Sequence, residues 1–547
     1  MLLNFSMPST DNKKFKLVIT LEEFNKKHHN FVFKDKGKQI LLIGVKGLIF
    51  ALDNRCPHEG YPLSKGHTNQ NCVLTCNWHN WKFNLNTGEC LLGEDNVRKY
   101  DVNIENENIY VDISDPSIDQ IKKSIYKGLK TAFKERQYGR ISREITRLKF
   151  NNLNPIDAVK ECILWSYDHF ENGMTHAYAA CADWLTFYNS FNSSENSNLE
   201  NQIICLTEAI DHISNDSLRH SKYPYSTIEI SYNKGQLLNA IENENEVESI
   251  SIINGAIKEG MSYSDLEGSL AEAALAHYNS FGHALIYVYK AGVLSNIFQD
   301  SEIDACLMKV IVRMIITGTR EDNIPEFSYY KDSLKELQNQ KIGLNTSAPS
   351  LDGILNKKVN GALKWTIEKA KTHNFESLFR ALLLLNANNM TSYNTDYQDA
   401  YDKSISHNIG WLDFTHGLTF SNAVHVMCER YPKLWTMGIL QMACFYGRNT
   451  YYTDSTINDD MFQVDDHKKF KKDTLDMILD HGIISPIFSA HYLKTSFAIF
   501  EEGDKLNQTE REILYRPLKR FLDSPLKTKH TRRNARQTIQ LISKDYP

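Results

Sequence analysis

The chain has 547 residues, and its 62 Lys and Arg against 67 Asp and Glu leave a formal net charge of −5. This near balance provides no global attraction for nucleic acid or for an anionic membrane. Apolar residues make up 41% of the chain, while glycine (26) and proline (13) are scarce, since the average share of those two is about 12%. These values exclude a disordered, collagen-like, disulfide-rich or mostly β protein, and they favour long helices.

The sequence has no apolar run as long as the ~18 residues that a membrane-spanning helix needs. Its opening residues contain no basic stretch followed by an apolar core, so no secretory signal is predicted. Ten cysteines are a modest number for this length. We therefore expect a cytoplasmic protein with reduced thiols.

The first 113 residues alternate in the manner of short strands. Apolar runs separated by turn-forming residues occur at 31–33, 40–43, 48–50, 73–74, 83–85 and 109–111. Closely spaced short strands with turn signals predict a small antiparallel β domain that ends near Asp112.

After this domain the apolar residues follow the helical period. A connector over 114–150 carries its apolar stripe at Ile118, Ile121, Ile125, Leu129 and Ala132. Further helices are predicted over 157–189, 266–298, 306–317, 361–388, 411–429, 435–445 and 474–500. Polar loops are predicted over 189–201, 242–249, 320–349 and 450–472. The predicted fold class is α+β, with a small antiparallel β domain (1–113), a helical connector (114–150) and a large, mostly α-helical domain (151–547).

The β domain carries two short loops that are rich in metal ligands. They are Cys56-Pro57-His58 and Cys76-Asn77-Trp78-His79, a C-x-H step and a C-x-x-H step separated by seventeen residues. A Rieske [2Fe–2S] centre uses two thiolates on one iron and two imidazoles on the other. The alternatives are a zinc site, whose first ligand pair is usually spaced more widely than C-x-H, and four unrelated core residues.

Residues 15–113 resemble Rieske ferredoxins and the Rieske domains of oxygenases. The resemblance implies stacked antiparallel sheets with a [2Fe–2S] cluster at one tip, held by Cys56, His58, Cys76 and His79. Rieske proteins of respiratory complexes carry two further cysteines at positions that hold Tyr61 and Trp78 in this chain. The ferredoxin or oxygenase kind is therefore favoured.

The helical domain is similar to the questin oxidase-like family at several separate places. They are residues 170–180, 281–287, 373–381 and 416–423, with Ala284, Tyr287 and Asn422 replacing a Pro and two His of the family's motifs. The resemblance implies oxidation of polycyclic aromatic ketones. The D-x-x-H-x4-H iron motif of ring-hydroxylating oxygenases is not matched by the spacing over 168–176, and that family's catalytic domain is built around a β sheet, so we reject it.

Helical spacing also groups the polar residues of this domain. The predicted helices present the following sets on one face each: His169, Asn172, His176 and Asp183; Glu272, Asn279 and His283; His373 and Glu376; Asp413 and His416. Helical bundles build iron and manganese sites from such side chains.

We therefore predict a catalytic site formed by His176, His283, His373 and His416, with a second non-haem metal for which iron is favoured. The competing interpretation is that each is a hydrogen-bonded core residue, which is the more frequent role of a lone histidine on an apolar helix. Weaker candidates are His277, His425, His481 and His491. His425 lies nine residues after His416 and therefore on the opposite face of the predicted helix.

The sequence contains neither a G-x-G-x-x-G motif after a strand nor a P-loop, so electrons must come from an external NAD(P)H-driven reductase or a ferredoxin. The leading hypothesis is an oxygenase in which the cluster passes electrons to a metal that oxidises a small apolar or aromatic substrate, ketones included. One alternative is an electron carrier or redox sensor whose helical domain only binds a partner. Another is a metal-free enzyme that uses histidines as acid and base. No nucleic-acid or membrane partner is expected, and the oligomeric state stays open.

Overall fold

The computed structural model describes residues 14–191, 198–218 and 221–544. The opening residues, where no secretory signal is predicted, and residues 192–197 of the predicted loop over 189–201 lie outside these ranges. Contacts divide the chain into two compact units, Met1–Pro155 and Ile156–Pro547. No helix within the described ranges is both long and apolar enough to cross a membrane.

The first unit contains short antiparallel strands. They are β1 (Phe15–Thr20), β2 (Asn30–Asp35), β3 (Lys38–Val45), β4 (Leu48–Asp53), β5 (His67–Thr68), β6 (Val73–Thr75), β7 (Lys82–Asn84), β8 (Cys90–Leu92), β9 (Lys99–Tyr100), β10 (Val102–Glu105) and β11 (Asn108–Asp112). They form three sheets with the orders β1-β11-β10, β2-β3-β4-β9 and β5-β6-β7-β8. All six predicted strands are confirmed, and most of those that were missed are only two to four residues long.

Strand β3 is the centre of this unit because both of its faces are buried. Leu41 and Ile43 pack into one core, and Ile40 and Leu42 pack into another. The first of these cores also contains Cys56 and Cys76, together with Leu74 and Phe83. The two predicted cluster cysteines are thus set in a rigid apolar base.

Three helices complete the first unit: α1 (Leu21–Lys26), α2 (Ile118–Glu135) and α3 (Tyr138–Phe150). Helix α2 lies within the segment predicted as a connector and buries Ile125, Leu129 and Ala132. Helix α3 is tied to the loop after β8 by ion pairs of Arg143 with Glu94 (2.9 Å) and Arg147 with Asp95 (2.5 Å). The connector therefore packs as part of the first unit.

The described residues of the second unit are helical and contain no strand. Its helices are α4 (Ile156–Ser166), α5 (His176–Ser190), α6 (Leu199–Ser217), α7 (Lys234–Glu242), α8 (Glu246–Lys258), α9 (Tyr263–Leu275), α10 (His283–Phe298), α11 (Ser301–Thr317), α12 (Tyr330–Gln338), α13 (Val359–Ala370), α14 (Phe375–Thr391), α15 (Asp396–Asp399), α16 (Trp411–Arg430), α17 (Trp435–Asn449), α18 (His467–Leu479), α19 (Pro486–Lys505), α20 (Gln508–Asp523) and α21 (Thr531–Ile542). The predicted α+β class is confirmed.

Four of the long predicted helices are in fact pairs. The prediction of one continuous helix was wrong in four places, because each of these segments is broken into two helices. The segments 157–189, 266–298, 361–388 and 474–500 correspond to α4/α5, α9/α10, α13/α14 and α18/α19. The apolar period runs across each break, but the backbone does not. Gly173 and Gly282 adopt left-handed conformations before α5 and α10, Asn374 caps α14, and Pro486 opens α19.

Parts of the predicted loops are also helical. Helix α12 lies inside the predicted loop over 320–349, and α8 begins inside the one over 242–249. Helix α6 was not predicted, because its apolar positions are interrupted by polar residues that the structure buries, among them Glu208 and His212.

The turn between α4 and α5 should be intolerant of a side chain at Gly173. A Cβ there would lie 2.3 Å from the carbonyl oxygen of Val310 and 2.6 Å from the amide nitrogen of Met314, at a φ of +78°. Gly260 has the same φ of +78° but nothing within 4 Å, which makes it a matched control. We expect Gly260→Ala to lower the free energy of unfolding by about 1 kcal/mol, the cost of the left-handed conformation alone.

For Gly173→Ala we expect a loss of about 3 kcal/mol, because overpacking is added to the backbone cost. Urea unfolding followed by far-ultraviolet circular dichroism measures both variants. Equal losses for the two would contradict a tight packing of Gly173 on α11.

Candidate functional site: two cluster loops and a histidine centre

The first cluster loop follows β4 and is closed by two backbone hydrogen bonds. The N–H of Cys56 donates to the carbonyl of Tyr61 (2.9 Å), and the N–H of Gly60 donates to the carbonyl of Cys56 (2.8 Å). Gly60 has a φ of +75°, a conformation that glycine adopts at little cost. The loop therefore doubles back over Cys56 and carries His58 at its turn.

The second loop, after β6, repeats this construction. The N–H of Cys76 donates to the carbonyl of Trp81 (2.8 Å), and the N–H of Asn80 donates to the carbonyl of Cys76 (3.0 Å). Asn80 occupies the place of the glycine with a φ of +61°, and Asn is among the few other residues that tolerate this region. The two loops are therefore matched local structures that differ by one residue before the histidine.

The four predicted ligands converge between these loops. The Nδ1 atoms of His58 and His79 are 3.0 Å apart, and two nitrogens bound to one metal ion at ~2.1 Å are separated by about 3.0 to 3.4 Å. Cys56 and Cys76 are buried, at 3% and 1% exposure. Burial, with a smaller contribution from Cys76, raises the pKa of Cys56 to about 12. Two buried thiolates need a positive charge beside them, which the irons of a [2Fe–2S] cluster would supply. These two sulfurs and the two paired imidazoles therefore fit a Rieske cluster.

Aromatic side chains hold the two loops together. The ring of His58 stacks on Trp81 with centroids 4.7 Å apart, and Tyr61 stacks on Trp78 at 5.6 Å. The side chain of His79 remains 42% exposed, and Trp78 is 60% exposed. An exposed ligand edge is what electron exchange with another centre requires.

In the second unit, four histidines form what we call the histidine centre: His176, His283, His416 and His491. They come from α5, α10, α16 and α19. The Nε2 atoms of His176 and His283 are 3.0 Å apart, and those of His416 and His491 are 3.3 Å apart. The rings of His283 and His416 link the two pairs, with centroids 4.3 Å apart. One nitrogen each of His176, His283 and His416 lie within 4.8 Å of one another.

Backbone carbonyls set the tautomers of two of these rings. His283 donates from Nδ1 to the carbonyl of Ser280 (2.5 Å), and His491 donates from Nδ1 to the carbonyl of Ile487 (2.6 Å). Each Nε2 is then left with a lone pair that points toward the centre. A ligand histidine is commonly oriented by such a hydrogen bond from its other ring nitrogen.

Tyr287 extends the centre at the position where the questin oxidase-like motif has a second histidine. Its hydroxyl is 3.1 Å from Nδ1 of His176. Burial lowers the pKa of His283 to about 3, and it holds the pKa values of His176, His416 and His491 well below the ordinary range. The charge on the nearby Lys494 acts in the same direction. The rings are therefore neutral, as metal ligation by imidazole requires.

The structure brings together three of the four predicted catalytic residues: His176, His283 and His416. His373 lies elsewhere, in the turn between α13 and α14. Its Nδ1 is 2.8 Å from Oγ1 of Thr372, and its Nε2 is 3.3 Å from Nδ2 of Asn345. The place predicted for it is taken by His491, which the sequence marked only as a weaker candidate.

The predicted stripes need correction because the helices are broken. His169 and Asn172 lie in the turn before α5, so they do not share a helix with His176. Glu272 pairs with Lys234 (2.7 Å), and Asn279 lies in the turn before α10. The other two pairs make different contacts: Glu376 lies 3.6 Å from His425, and Asp413, which shares the unbroken α16 with His416, accepts from the N–H of Gly410 (2.8 Å).

The spacing of seven residues does hold within α5 and α10, where it builds a second polar layer. Asp183, seven residues after His176, pairs with Lys290, seven residues after His283, at 2.7 Å. Lys494 reaches Nε2 of His416 (3.3 Å), and burial lowers the pKa of Lys494 to about 7. The weaker candidates apart from His491 are each within hydrogen-bond distance of a carboxylate: His277 of Asp322 (2.9 Å), His425 of Glu502 (2.6 Å) and His481 of Glu208 (3.1 Å).

A cavity of about 350 Å³ adjoins the histidine centre. His176 forms part of its wall, together with Phe170, Thr175, His212 and Ile487. Among the residues of the centre, His176 alone lines this cavity. A small molecule in the cavity would therefore meet the centre at His176.

The first unit has known relatives. Residues 15–103 match the family model described as the Rieske [2Fe-2S] domain. The chain is 41% identical over 75 residues to apoptosis-inducing factor 3 of Homo sapiens, which is 13% of this chain and only 12% of the human protein. It is 35% identical over 78 residues to the 3-phenylpropionate/cinnamic acid dioxygenase ferredoxin subunit of Photorhabdus laumondii, which is 14% of this chain and 74% of the ferredoxin.

Among solved structures, the ferredoxin of carbazole 1,9a-dioxygenase from Nocardioides aromaticivorans IC177 is 24% identical, with 18% of this chain and 98% of that chain covered and a TM-score of 0.17. The family match includes both cluster loops, and the bacterial ferredoxin is matched over most of its length. The prediction of a Rieske domain of the ferredoxin or oxygenase kind is therefore confirmed. The chain belongs to the Rieske [2Fe–2S] family through residues 15–103.

Proposed function

We propose that the protein is an oxygenase in which the Rieske cluster takes electrons from an external NAD(P)H-driven reductase or ferredoxin and passes them to a metal in the histidine centre. The observation that carries this proposal is the convergence of neutral imidazole nitrogens from His176, His283 and His416. The Nε2 atoms of His176 and His283 are 3.0 Å apart, the separation of two ligands on one ion, and a nitrogen of His416 lies within 4.8 Å of the ligand atoms of both. The kinship of the first unit with dioxygenase ferredoxins supports the electron-transfer step.

Iron is the favoured metal, since imidazole ligands with open coordination positions suit non-haem iron. When bound, the metal would supply the binding and activation of oxygen. The protein's own residues orient the ligands: Ser280 and Ile487 fix two tautomers, and Tyr287 holds His176. The buried position of His416 and His491 excludes bulk water from that side.

The cavity beside His176 is where the substrate would bind. Its volume of about 350 Å³ suits a small molecule, and Phe170 and Ile487 offer apolar contact. Together with the questin oxidase-like resemblance of the helical domain, this favours a small apolar or aromatic substrate, ketones included. We treat this substrate class as part of the proposal.

A second candidate function is electron transfer alone, with the helical domain as a scaffold that binds a partner. One observation favours it: the side chains of the histidine centre can hydrogen-bond one another without a metal ion. If His176 accepts from Tyr287 at Nδ1, its Nε2–H can donate to Nε2 of His283 over the observed 3.0 Å. Metal content separates the two functions.

Metal analysis of protein purified with its cluster should find one metal ion per chain beyond the two irons of the cluster. We expect His283→Ala and His416→Ala to abolish this extra ion, because each removes one of three converging nitrogens. The electron paramagnetic resonance signal of the reduced cluster should stay unchanged, since its ligands lie in the first unit.

His373→Ala is the matched control, because His373 lies outside the histidine centre and should leave the extra ion in place. If wild-type protein contains only the iron of its cluster, the oxygenase function is contradicted and the electron-carrier function is favoured. Loss of the extra ion in His373→Ala would contradict a ligand set drawn from His176, His283 and His416.

The second cluster loop should depend on the backbone of Asn80 rather than on its side chain. Asn80→Gly keeps the left-handed conformation available and should retain the visible absorption of the cluster. Asn80→Val places a β-branched residue there, at a cost of about 2 kcal/mol, and should lower cluster content strongly. Both variants lose the hydrogen bond from Lys82 Nζ to Asn80 Oδ1 (2.8 Å), so that bond is controlled for. Equal cluster content in the two variants would contradict the backbone requirement.

A further inference from the structure

An oxygen-reducing centre needs protons as well as electrons, and this inference rests on the oxygenase function proposed above. Insertion of one oxygen atom into a substrate RH follows RH + O₂ + 2 e⁻ + 2 H⁺ → ROH + H₂O. Without substrate, O₂ + 2 e⁻ + 2 H⁺ → H₂O₂. The reduced Rieske cluster supplies electrons one at a time, so the protons must reach the cavity by a separate route.

A buried histidine outside the histidine centre stands at the cavity wall. His212, on α6, is 3% exposed and lines the cavity together with His176. Its Nε2 is buried and makes no hydrogen bond within the described part of the chain. Oε2 of Glu208 lies 4.0 Å from this nitrogen. A small rotation of either side chain would bring the two into hydrogen-bond distance.

The same carboxylate oxygen of Glu208 is held from the other side by His481. Nε2 of His481 is 3.1 Å from Oε2 of Glu208, and Nδ1 of His481 accepts from the N–H of Ile483 (2.9 Å). This second bond fixes the tautomer, so that Nε2 of His481 carries the hydrogen and donates it to Glu208. His481 lies in the segment between α18 and α19, beside Ile484, which is 97% exposed.

We propose that His481, Glu208 and His212 form a proton path from the surface to the cavity beside His176. A solvent proton adds to Nδ1 of His481 as its hydrogen bond with the N–H of Ile483 opens, and the resulting imidazolium passes the proton on Nε2 to Glu208. Glu208 passes a proton to Nε2 of His212, while the other ring nitrogen of His212 gives up a proton to the cavity. Each group gains one proton and loses one, and rotation of each ring restores its starting tautomer. The path carries no electrons, which come from the cluster, and oxygen is the oxidant.

The groups that face His212 are compatible with this role. Glu208 and Asp216 lie on its own helix, His481 approaches from the segment before α19, and His176 from α5. Burial lowers the pKa of His212, so the ring readily gives up a proton near neutral pH. The carboxylate of Glu208 stabilises the charged form that exists during transfer.

The test uses the full chain with cluster and second metal loaded, reduced chemically and mixed with oxygen in a stopped-flow instrument. Reoxidation of the cluster is followed by its visible absorption, and hydrogen peroxide is quantified at the end. We expect His212→Gln and Glu208→Gln each to slow metal-dependent reoxidation about tenfold or more, since both keep hydrogen-bonding ability but cannot relay a proton. His407→Gln is the matched control, because the His407 side chain is only partly buried and hydrogen-bonds only Ser404 and Ser406 among the described residues.

A structural role is separated from proton transfer by chemical rescue. Free imidazole in the buffer should restore much of the rate of His212→Gln, because it replaces the missing proton carrier, while it should not accelerate the wild type. Slowing without rescue, or unchanged rates in both variants at full metal content, would overturn the proton path. If His212→Gln does not fold, Glu208→Gln decides alone.

Metal analysis of the same samples keeps the two proposals distinguishable. Wild-type protein without the second metal removes the oxygenase and the proton path together. Protein with the metal, but with reoxidation that is indifferent to both substitutions, removes the proton path alone.

Discussion

The second unit depends on one constraint: imidazoles and charged groups are buried between α5, α10, α16 and α19, and each must find its partner there. A buried polar group without a partner costs several kcal/mol, and an unpaired buried charge costs more. The four histidines meet this requirement in pairs, and Asp183 and Lys290 meet it one layer further along the same two helices. Apolar side chains would fill this space at lower cost, so the layer is not a source of stability.

The turns that precede α5 and α10 help to place His176 and His283 in the histidine centre. Each has its histidine of the histidine centre as the first residue, directly after a turn that contains a left-handed glycine, Gly173 or Gly282. At Gly282 a Cβ would lie 2.4 Å from the ring of Phe420, so the turn is both strained and tightly packed. The positive end of a helix dipole disfavours an imidazolium at this position. It therefore acts with burial to keep His176 and His283 neutral.

The cluster site solves a different problem by local means. Its two loops use the same pair of backbone hydrogen bonds and the same left-handed residue, Gly60 in one and Asn80 in the other. The stack of Tyr61 on Trp78 then joins the loops without a covalent link. Each ligand's position follows from a few neighbouring residues, and the apolar core around β3 only has to hold the loops facing one another.

This difference explains what the sequence determined by itself. The strands of the first unit, its Rieske identity and the existence of most helices were predictable, because alternation, the C-x-H and C-x-x-H steps and helical periodicity are short-range features. The sequence wrongly grouped His169 with His176 and Glu272 with His283 on shared helix faces. The apolar period continues across the capped or left-handed residues at which the helix actually ends, so periodicity does not reveal the break. Only the tertiary structure decided that His491 rather than His373 joins the histidine centre. Which faces of distant helices meet depends on the packing of the whole unit, and no spacing along one helix records it.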